Sequence, residues 1–595
     1  MPQSSRIMVR FGCFQLDLRH GELSTRGVPL NIQEQPLRVL ISLLESPGEL
    51  VRREDLIKNI WPSETFVDFE HSLNAAVNRL RQILGDMAAR PRYIETVPRR
   101  GYRFIGRVQI DDGVEPGGSA LASASTGTCP AKGRNGLPSE SVVAVLPFAD
   151  ISPTPDSNYF CDGLAEDIMS GLTRVAGLRV IGRSSTALFR DRTLPLADIA
   201  SRLKADLVLD GSFRQSGNRV RITAQLVRAV NQHCIWSERY DRELTDLFQV
   251  QEEIARAIVE TLQIKVGPDP LIRQYTHHQD AHLFYLKGVF YSHRWTAEAF
   301  TQILSYMKRV VEIEPAHAPA WVELAGLLFG QVMAGVRPSK VMPEALESAD
   351  KAVKADPNLA EGRAILALLK GLWKYDWPGA ASESEVALRL NPAAPVVRYY
   401  RALVLTAMGQ SEDAISELRR SLESDPLSVL VNMQLCRLYT ATGNYRAAIQ
   451  YGEQAVEIGP NHFPGVGRLG EAYIYLGDYD RGITLLEQCR SSAPAEGWYT
   501  AALVAAYRGA ARQREAEQIW SVVEKKSRRE YVPFAVRAFT AAALGHFDEA
   551  FALLSQAVEE RDGILMFLKT ERTLKEMRSD SRYAKVLAAM DLMRR

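Results

Sequence analysis

Residues 71–84 read HSLNAAVNRLRQIL, and residues 92–103 read RYIETVPRRGYR. These residue types at these spacings can recognise a polyanion and the edges of bases. With 100° between successive helical residues, Leu73, Ala76, Val77, Leu80, Ile83 and Leu84 share one side. His71, Asn74, Ala75, Asn78 and Gln82 lie opposite, flanked by Arg79 and Arg81, with Ser72 at the start of the stretch. Asn and Gln carry paired donors and acceptors that match base edges, and alanine lets a helix approach closely. Arginine suits phosphates and guanine. A merely solvated helix usually carries Glu and Lys pairs instead. Over 79–107 there are eight arginines against Asp86 and Glu95. Over 1–110 there are 16 Lys and Arg against 12 Asp and Glu, a net +4, while the whole chain of 595 residues carries +1. A basic stripe beside a helix is an electrostatic footprint for phosphates.

Several elements must position those side chains. Short alternating runs over 8–30 (MVRFGCFQLDL, then GELSTRGVPL) predict a four-stranded meander. Helical patterns follow at about 33–46, 52–60 and 68–84. Tyr93, Ile94, Thr96 and Val97 suit a strand, PRRG turns the chain, and YRFIG returns. A basic hairpin directly after such a helix is the wing of a winged helix-turn-helix.

The runs EDLIKNIWP, LNAAVNRLRQILGD and RYIETVPRRGYRF resemble the OmpR/PhoB-type DNA-binding domain over residues 7–108. The resemblance implies that the third helix enters the major groove and that the wing touches the neighbouring minor groove or backbone. It places Arg79 and Arg81 on the family's RLR motif, and Asn74, Ala75 and Asn78 at groove-facing positions. Arg99, Arg100 and Arg103 fall in the wing, with Tyr102 shared between core and DNA backbone. Two departures matter. No receiver domain with a phosphorylatable aspartate is expected ahead of residue 7, and no membrane-spanning helix is expected, unlike the CadC and ToxR regulators. No stretch approaches 18 uninterrupted apolar residues.

Residues 109–140 are dominated by Gly, Ser, Ala and Pro and predict a flexible linker. Residues 141–266 read as strands and helices in the order βαβαβββα, including two strands around a Gly-Asn turn within ADLVLDGSFRQSGNRVRITAQLVRA. VAVLPFADIS, YFCDGLAEDIMSGL and ADLVLDGSFR resemble the TolB N-terminal-like domain. The acids Asp162, Glu166 and Asp167 are expected at a helix N-terminus, where they complement the helix dipole.

From about 280 a period replaces the strands. Prolines stand at 357, 392, 426, 460 and 494, and glycines at 409, 443 and 477. A spacing of 34 residues is that of a helix-turn-helix solenoid. The small, aromatic and proline positions resemble tetratricopeptide (TPR) repeats, seven or eight units over 280–595. AGVRPSKVMP at 334–343 is expected to lengthen one inter-helix turn. A TPR array usually offers a groove to a protein or peptide, whereas Tyr399, Met433 and Gly467 stand where a carboxylate clamp would need Lys and Asn.

Other signals carry less. GVGRLG at 465–470 matches a dinucleotide fingerprint but falls inside a repeat helix, in phase with the period. His278, His282 and His293 lack the partners of a metal site. Six scattered cysteines form no CxxC pair, which fits a reducing compartment.

The fold class expected is therefore multidomain α+β and all-α: a winged helix-turn-helix, a small α/β domain and a TPR solenoid. The function expected is a cytoplasmic, non-enzymatic, sequence-specific transcriptional regulator without cofactor or metal. Its partners would be double-stranded DNA, RNA polymerase or another protein, a protein or peptide in the TPR groove, and a second copy on DNA. The rivals are a scaffold whose winged helix binds no DNA and an enzyme acting through the middle domain.

Overall fold

The computed structural model describes residues 7–11, 14–17, 22–25, 28–29, 34–44, 46–60, 73, 76–77, 79–81, 84, 86, 91–97, 100–106, 108–112, 141–152, 158–191, 193–243, 247–264, 266, 271–276, 278–291, 296–493 and 497–593. The chain divides into two compact units, Met1–Gly133 and Arg134–Arg595.

In the first unit, β1 (Ile7–Phe11), β2 (Phe14–Asp17), β3 (Glu22–Thr25) and β4 (Val28–Pro29) form the expected antiparallel meander. Alternation puts Val9, Phe11, Phe14, Leu16 and Leu23 on the buried face. A fifth strand, β8 (Val108–Asp112), pairs with the free side of β1, Val9 opposite Ile110. The domain therefore runs past 108, and the first residues assigned to the linker belong to its sheet. Helices α1 (Glu34–Leu44) and α2 (Arg53–Ile60) pack beside α3, which is described at residues 73, 76, 77, 79–81 and 84. Strands β5 (Leu50–Arg52), β6 (Ile94–Val97) and β7 (Gly101–Phe104) form a second sheet in the order β5-β7-β6. Phe11 and Phe104 meet edge to face at 5.1 Å, which ties the meander to the base of the wing.

The second unit begins with a sheet in the order β11-β9-β12-β13-β14: β9 (Ser141–Val145), β11 (Leu178–Val180), β12 (Leu207–Ser216), β13 (Arg219–Arg228) and β14 (His233–Glu243). β9, β11 and β12 run parallel, whereas β13 and β14 add antiparallel strands through a turn in which Gly217 has φ +61°. Val143 and Val145 point to α4 (Asn158–Leu172) and α7 (Leu247–Thr261), while Ala144 and Leu146 point to α6 (Leu196–Leu203). The expected order holds, with a two-residue strand β10 (Ala149–Asp150) and a short α5 (Arg183–Thr186) inserted. One expectation is corrected. α4 starts at Asn158, so Asp162, Glu166 and Asp167 lie inside the helix and not at its N-terminus. They are held by side chains instead: Asp162 pairs with Arg190, Glu166 lies 3.4 Å from Arg183, and Asp167 accepts from Gln251 at 2.9 Å.

Sixteen helices from α8 (Gln279–Tyr291) to α23 (Phe547–Glu559) then form eight antiparallel pairs, within the seven or eight units expected. Their period is clearest in the backbone. Positions 375, 409, 443, 477, 511 and 545 all have positive φ, from +56° to +99°, although they carry Tyr, Gly, Gly, Gly, Ala and Gly. Each ends the first helix of a pair. The next residue's N–H reaches back to the helix, as Asn444 does to the Tyr439 carbonyl and Arg512 to that of Tyr507, both at 2.8 Å. Only glycine holds this conformation without a Cβ penalty. Ala511→Gly is therefore expected to stabilise the second unit by about 0.5–1 kcal/mol, net of the greater freedom glycine gives the unfolded chain. The check is the urea midpoint. A lower midpoint would contradict the assignment of position 511 to this series.

The segment 334–343 departs from expectation. α11 (Pro338–Ala355) already begins at Pro338 and carries Pro343 within it, so only residues 334–337 form the turn. Proline is welcome in a first turn because its missing N–H has no helical partner there.

The α/β domain and the solenoid are joined by polar contacts. Asp425 accepts from the Ser184 hydroxyl and from the Ser185 hydroxyl and N–H, Gly182 N–H donates to the Ser424 carbonyl, and Asp356 takes Arg273 and Tyr275. The first helices of the pairs, which line the inner face of a TPR array, are partly covered by the chain's own residues 567–592. On the first helix α16 (Val429–Thr442), Arg437 Nη1 donates to Thr570 at 2.8 Å and the Thr440 carbonyl accepts from Arg572 Nη1 at 3.2 Å, while Trp377 Nε1, on the second helix of its pair, donates to the Met590 carbonyl at 2.7 Å. Residues 567–592 therefore occupy part of that inner face.

Candidate nucleic-acid interface

The apolar side of α3 sits where the helical wheel places it: Leu73, Ala76, Val77, Leu80 and Leu84 are all buried against α1, α2 and the wing. The wheel assigns the polar residues to the opposite side. Of the residues expected there, Arg79 is exposed and makes no hydrogen bond or ion pair among the described residues. His71, Ser72, Asn74, Ala75, Asn78 and Arg99 lie outside the described residues.

Arg81 is corrected. It is only 7 % exposed, and its Nη2 donates to the Ile94 carbonyl at 2.8 Å and to the Thr96 hydroxyl at 2.7 Å. Its charge is spent inside the domain, tying α3 to β6. Five residues on, Asp86 does the same work with the opposite sign. Its carboxylate is buried and accepts the N–H groups of Arg92, Tyr93 and Ile94 at 2.5, 3.3 and 2.7 Å. A cation on the carbonyl and an anion on the N–H of Ile94 fix the first wing strand to the helix. Sequence reasoning counted Asp86 only as one of two acids in a basic stretch.

The wing itself turns between Val97 and Arg100, whose N–H donates to the Val97 carbonyl at 3.1 Å. Gly101 then runs so close to β5 that an added Cβ would lie 2.0 Å from the Val51 carbonyl oxygen, which explains glycine in PRRG. Arg100 is exposed and unpaired among the described residues. Arg103 is half-engaged by Glu95, its cross-strand neighbour, at 3.2 Å. Tyr102 is corrected from a shared position to a core one. It is 3 % exposed, its ring carries the Arg53 guanidinium at 5.5 Å, and its hydroxyl accepts from Arg53 at 3.4 Å.

Sequence reasoning missed Arg52. It stands opposite Gly101 in the β5–β7 register, so it is beside the wing turn, exposed and unpaired among the described residues. The only signal was the pair of arginines in VRRED. Arg52, Arg79 and Arg100 thus present cations to solvent, while Arg81 and Asp86 hold the helix and wing together.

Residues 27–104 match the family described as transcriptional regulatory protein, C terminal, and residues 139–257 match the HilA/YgeH-like transcriptional regulator, second domain. Residues 468–495 match a tetratricopeptide repeat. Transcriptional regulator HilA of Salmonella typhimurium is 25% identical over 430 residues, 72% of this chain and 72% of that protein. The chain is a DNA-binding transcriptional regulator. This regulator also resembles the cholera toxin transcriptional activator of Vibrio cholerae, 39% identical over 72 residues, 12% of this chain and 24% of that one. A putative adenylate cyclase 3 of Rhizobium meliloti is 32% identical over 238 residues, 39% of this chain; the regulator spans 40% of that protein's length. For the middle segment the matching family is the regulators' own second domain, where the sequence had suggested the TolB-like domain. Among the described residues of the regulator, no helix is long and apolar enough to cross a membrane.

Proposed function

We propose that the regulator reads a specific DNA site with the outer face of α3 and clamps the flanking backbone with its wing. The observation that carries this is the division of the arginines. Arg81 is locked to β6 together with Asp86, whereas Arg52, Arg79 and Arg100 are exposed and unpaired among the described residues. In this reading His71, Ser72, Asn74, Ala75 and Asn78 face base edges, and Arg79 serves either a base or a phosphate. Arg52, Arg99, Arg100 and the half-paired Arg103 hold phosphates.

The second unit receives the signal, as a protein or a small ligand, and contacts RNA polymerase or another protein through surfaces other than the stretch covered by residues 567–592. The protein acts in the bacterial cytoplasm, where its DNA is, and it is non-enzymatic. Its likeness to the cyclase covers less than half of that protein and transfers no catalytic role.

The test is DNA binding by residues 1–133, which retain β8, over a range of salt. Arg100→Ala is expected to weaken binding to every sequence and to reduce the salt slope by about 1, the loss of one phosphate contact. Asn78→Ala should instead relax preference at particular bases. If binding by 1–133 is absent or insensitive to salt, the reading fails.

A further inference from the structure

Among the described residues, β14 is an edge strand of eleven residues, paired with β13 on one side only. Its burial pattern is mostly exposed, with Tyr240, the eighth residue, buried. A row of free backbone N–H and C=O groups of that length is a template for another strand, and proteins normally blunt such edges with charge. Here the charges are arranged differently. The C-terminal half of β14 reads Glu238-Arg239-Tyr240-Asp241-Arg242, in which each residue before the tyrosine has the opposite sign to its mirror position after it.

We propose that β14 pairs antiparallel with β14 of a second copy of this chain, about a two-fold axis at Tyr240. Two copies related by an axis perpendicular to the sheet must place residues of the same parity opposite each other, because side chains alternate between faces. Centred on Tyr240, Arg239 faces Asp241 and Glu238 faces Arg242, each twice. Centring on Asp241 opposes two aspartates. Centring on Glu238 opposes two glutamates, and centring on Arg239 pairs no opposite charges. Only the Tyr240 register is complementary throughout, and opposite charges across strands stabilise a pairing where like charges oppose it.

The existing contacts extend the pattern. On the face away from α7, Arg221 of β13 already holds Asp241 at 2.6 Å, and a second copy's Arg239 would continue the row Arg, Asp, Arg. On the other face Arg242 holds Glu253 of α7 at 3.1 Å, and the second copy's Glu238 would continue the row Glu, Arg, Glu. Such a dimer would carry two winged helices and make DNA binding bivalent.

The test uses the full chain without DNA, so it stands apart from the DNA-binding reading. Sedimentation velocity of the natural protein should show a concentration-dependent dimer. Arg239 and Asp241 side chains are 64% and 50% exposed, and the ion pairs that Asp241 makes within the chain, with Arg239 at 3.4 Å and Arg221 at 2.6 Å, are surface ones of little weight in stability, so reversing either is expected to leave the fold intact. Arg239→Asp and Asp241→Arg should each weaken self-association about tenfold or more, because each turns attraction into repulsion at both symmetric pairs. Mixed in equal amounts, the two variants restore complementarity and should form a heterodimer. A natural protein that stays monomeric, a single variant that dimerises as well as the natural chain, or a mixture that stays monomeric would each overturn the proposal. Glu238→Arg mixed with Arg242→Glu repeats the test on the other face.

Discussion

Asp86→Ala is expected to unfold the wing side of the DNA-binding unit, lowering its stability by more than about 3 kcal/mol. The three N–H groups that Asp86 accepts belong to consecutive residues, and those of Tyr93 and Ile94 are buried with the carboxylate. Each orphaned buried donor costs about 1–3 kcal/mol. A domain of this size has about 5–15 kcal/mol in all. Urea denaturation of residues 1–133 followed by circular dichroism should show a much lower midpoint, with DNA affinity lost in parallel. Asp86→Asn keeps one acceptor oxygen and should fall between. Arg100→Ala should leave the midpoint unchanged while altering the salt slope. An unchanged midpoint in Asp86→Ala would mean that Asp86 does not position the wing.

This contrast marks the limit of what the sequence shows about the interface. The apolar side of α3 was legible because helical periodicity is local, and Leu73, Ala76, Val77, Leu80 and Leu84 all proved buried. Arg81 was not legible. On the wheel it flanks the polar face at the margin opposite Arg79, and only the packing of β6 decides that one arginine goes inward and the other outward. The acids of α4 went astray for a smaller reason. They were expected at the N-terminus of the helix, whereas the helix begins at Asn158, four residues before the first of them.

The repeats show the opposite case. Pattern found the period at Gly409, Gly443 and Gly477, yet the same backbone recurs at Tyr375 and Ala511, whose side chains conceal it. Tyr375 is fixed by other forces, since its ring is buried under the Arg561 guanidinium at 4.0 Å. The docking of residues 567–592 along the inner face had no periodic signal at all. It depends on single long-range contacts such as Arg437 with Thr570, which only the folded chain brings together.

Asp167→Asn is expected to remove most of one pH-dependent loss of stability from the second unit. Burial, and then the neighbouring Glu166 charge, raise the Asp167 carboxyl from 3.8 to about 7, against the opposing hydrogen bond from Gln251. Gln251 is 2 % exposed; its amide N–H reaches Asp167, and its Oε1 is buried without a hydrogen bond. A protonated Asp167 can serve that oxygen, whereas an ionised one cannot. The sign follows from proton binding. Between about pH 4 and 7 the folded chain holds a proton that the unfolded chain releases, so this contribution is full below about pH 4 and lost as pH rises through 7. Three units at about 1.4 kcal/mol each set an upper limit near 4 kcal/mol, and partial solvent access reduces it to about 2–4 kcal/mol. Asparagine does not titrate, and its amide can donate to Gln251 Oε1. The variant should therefore be more stable than the natural protein at about pH 8 and nearly equal to it at about pH 4. Glu323, Glu361 and Asp425 are also raised by burial and act in the same direction, whereas His282, His317 and His462, each lowered to about 4, act oppositely below their usual range. For that reason the measurement is the difference in urea midpoint between variant and natural protein at each pH, in which those shared groups cancel. A difference that stays constant from acid to alkaline pH would show that Asp167 is ionised in the folded chain across the whole range.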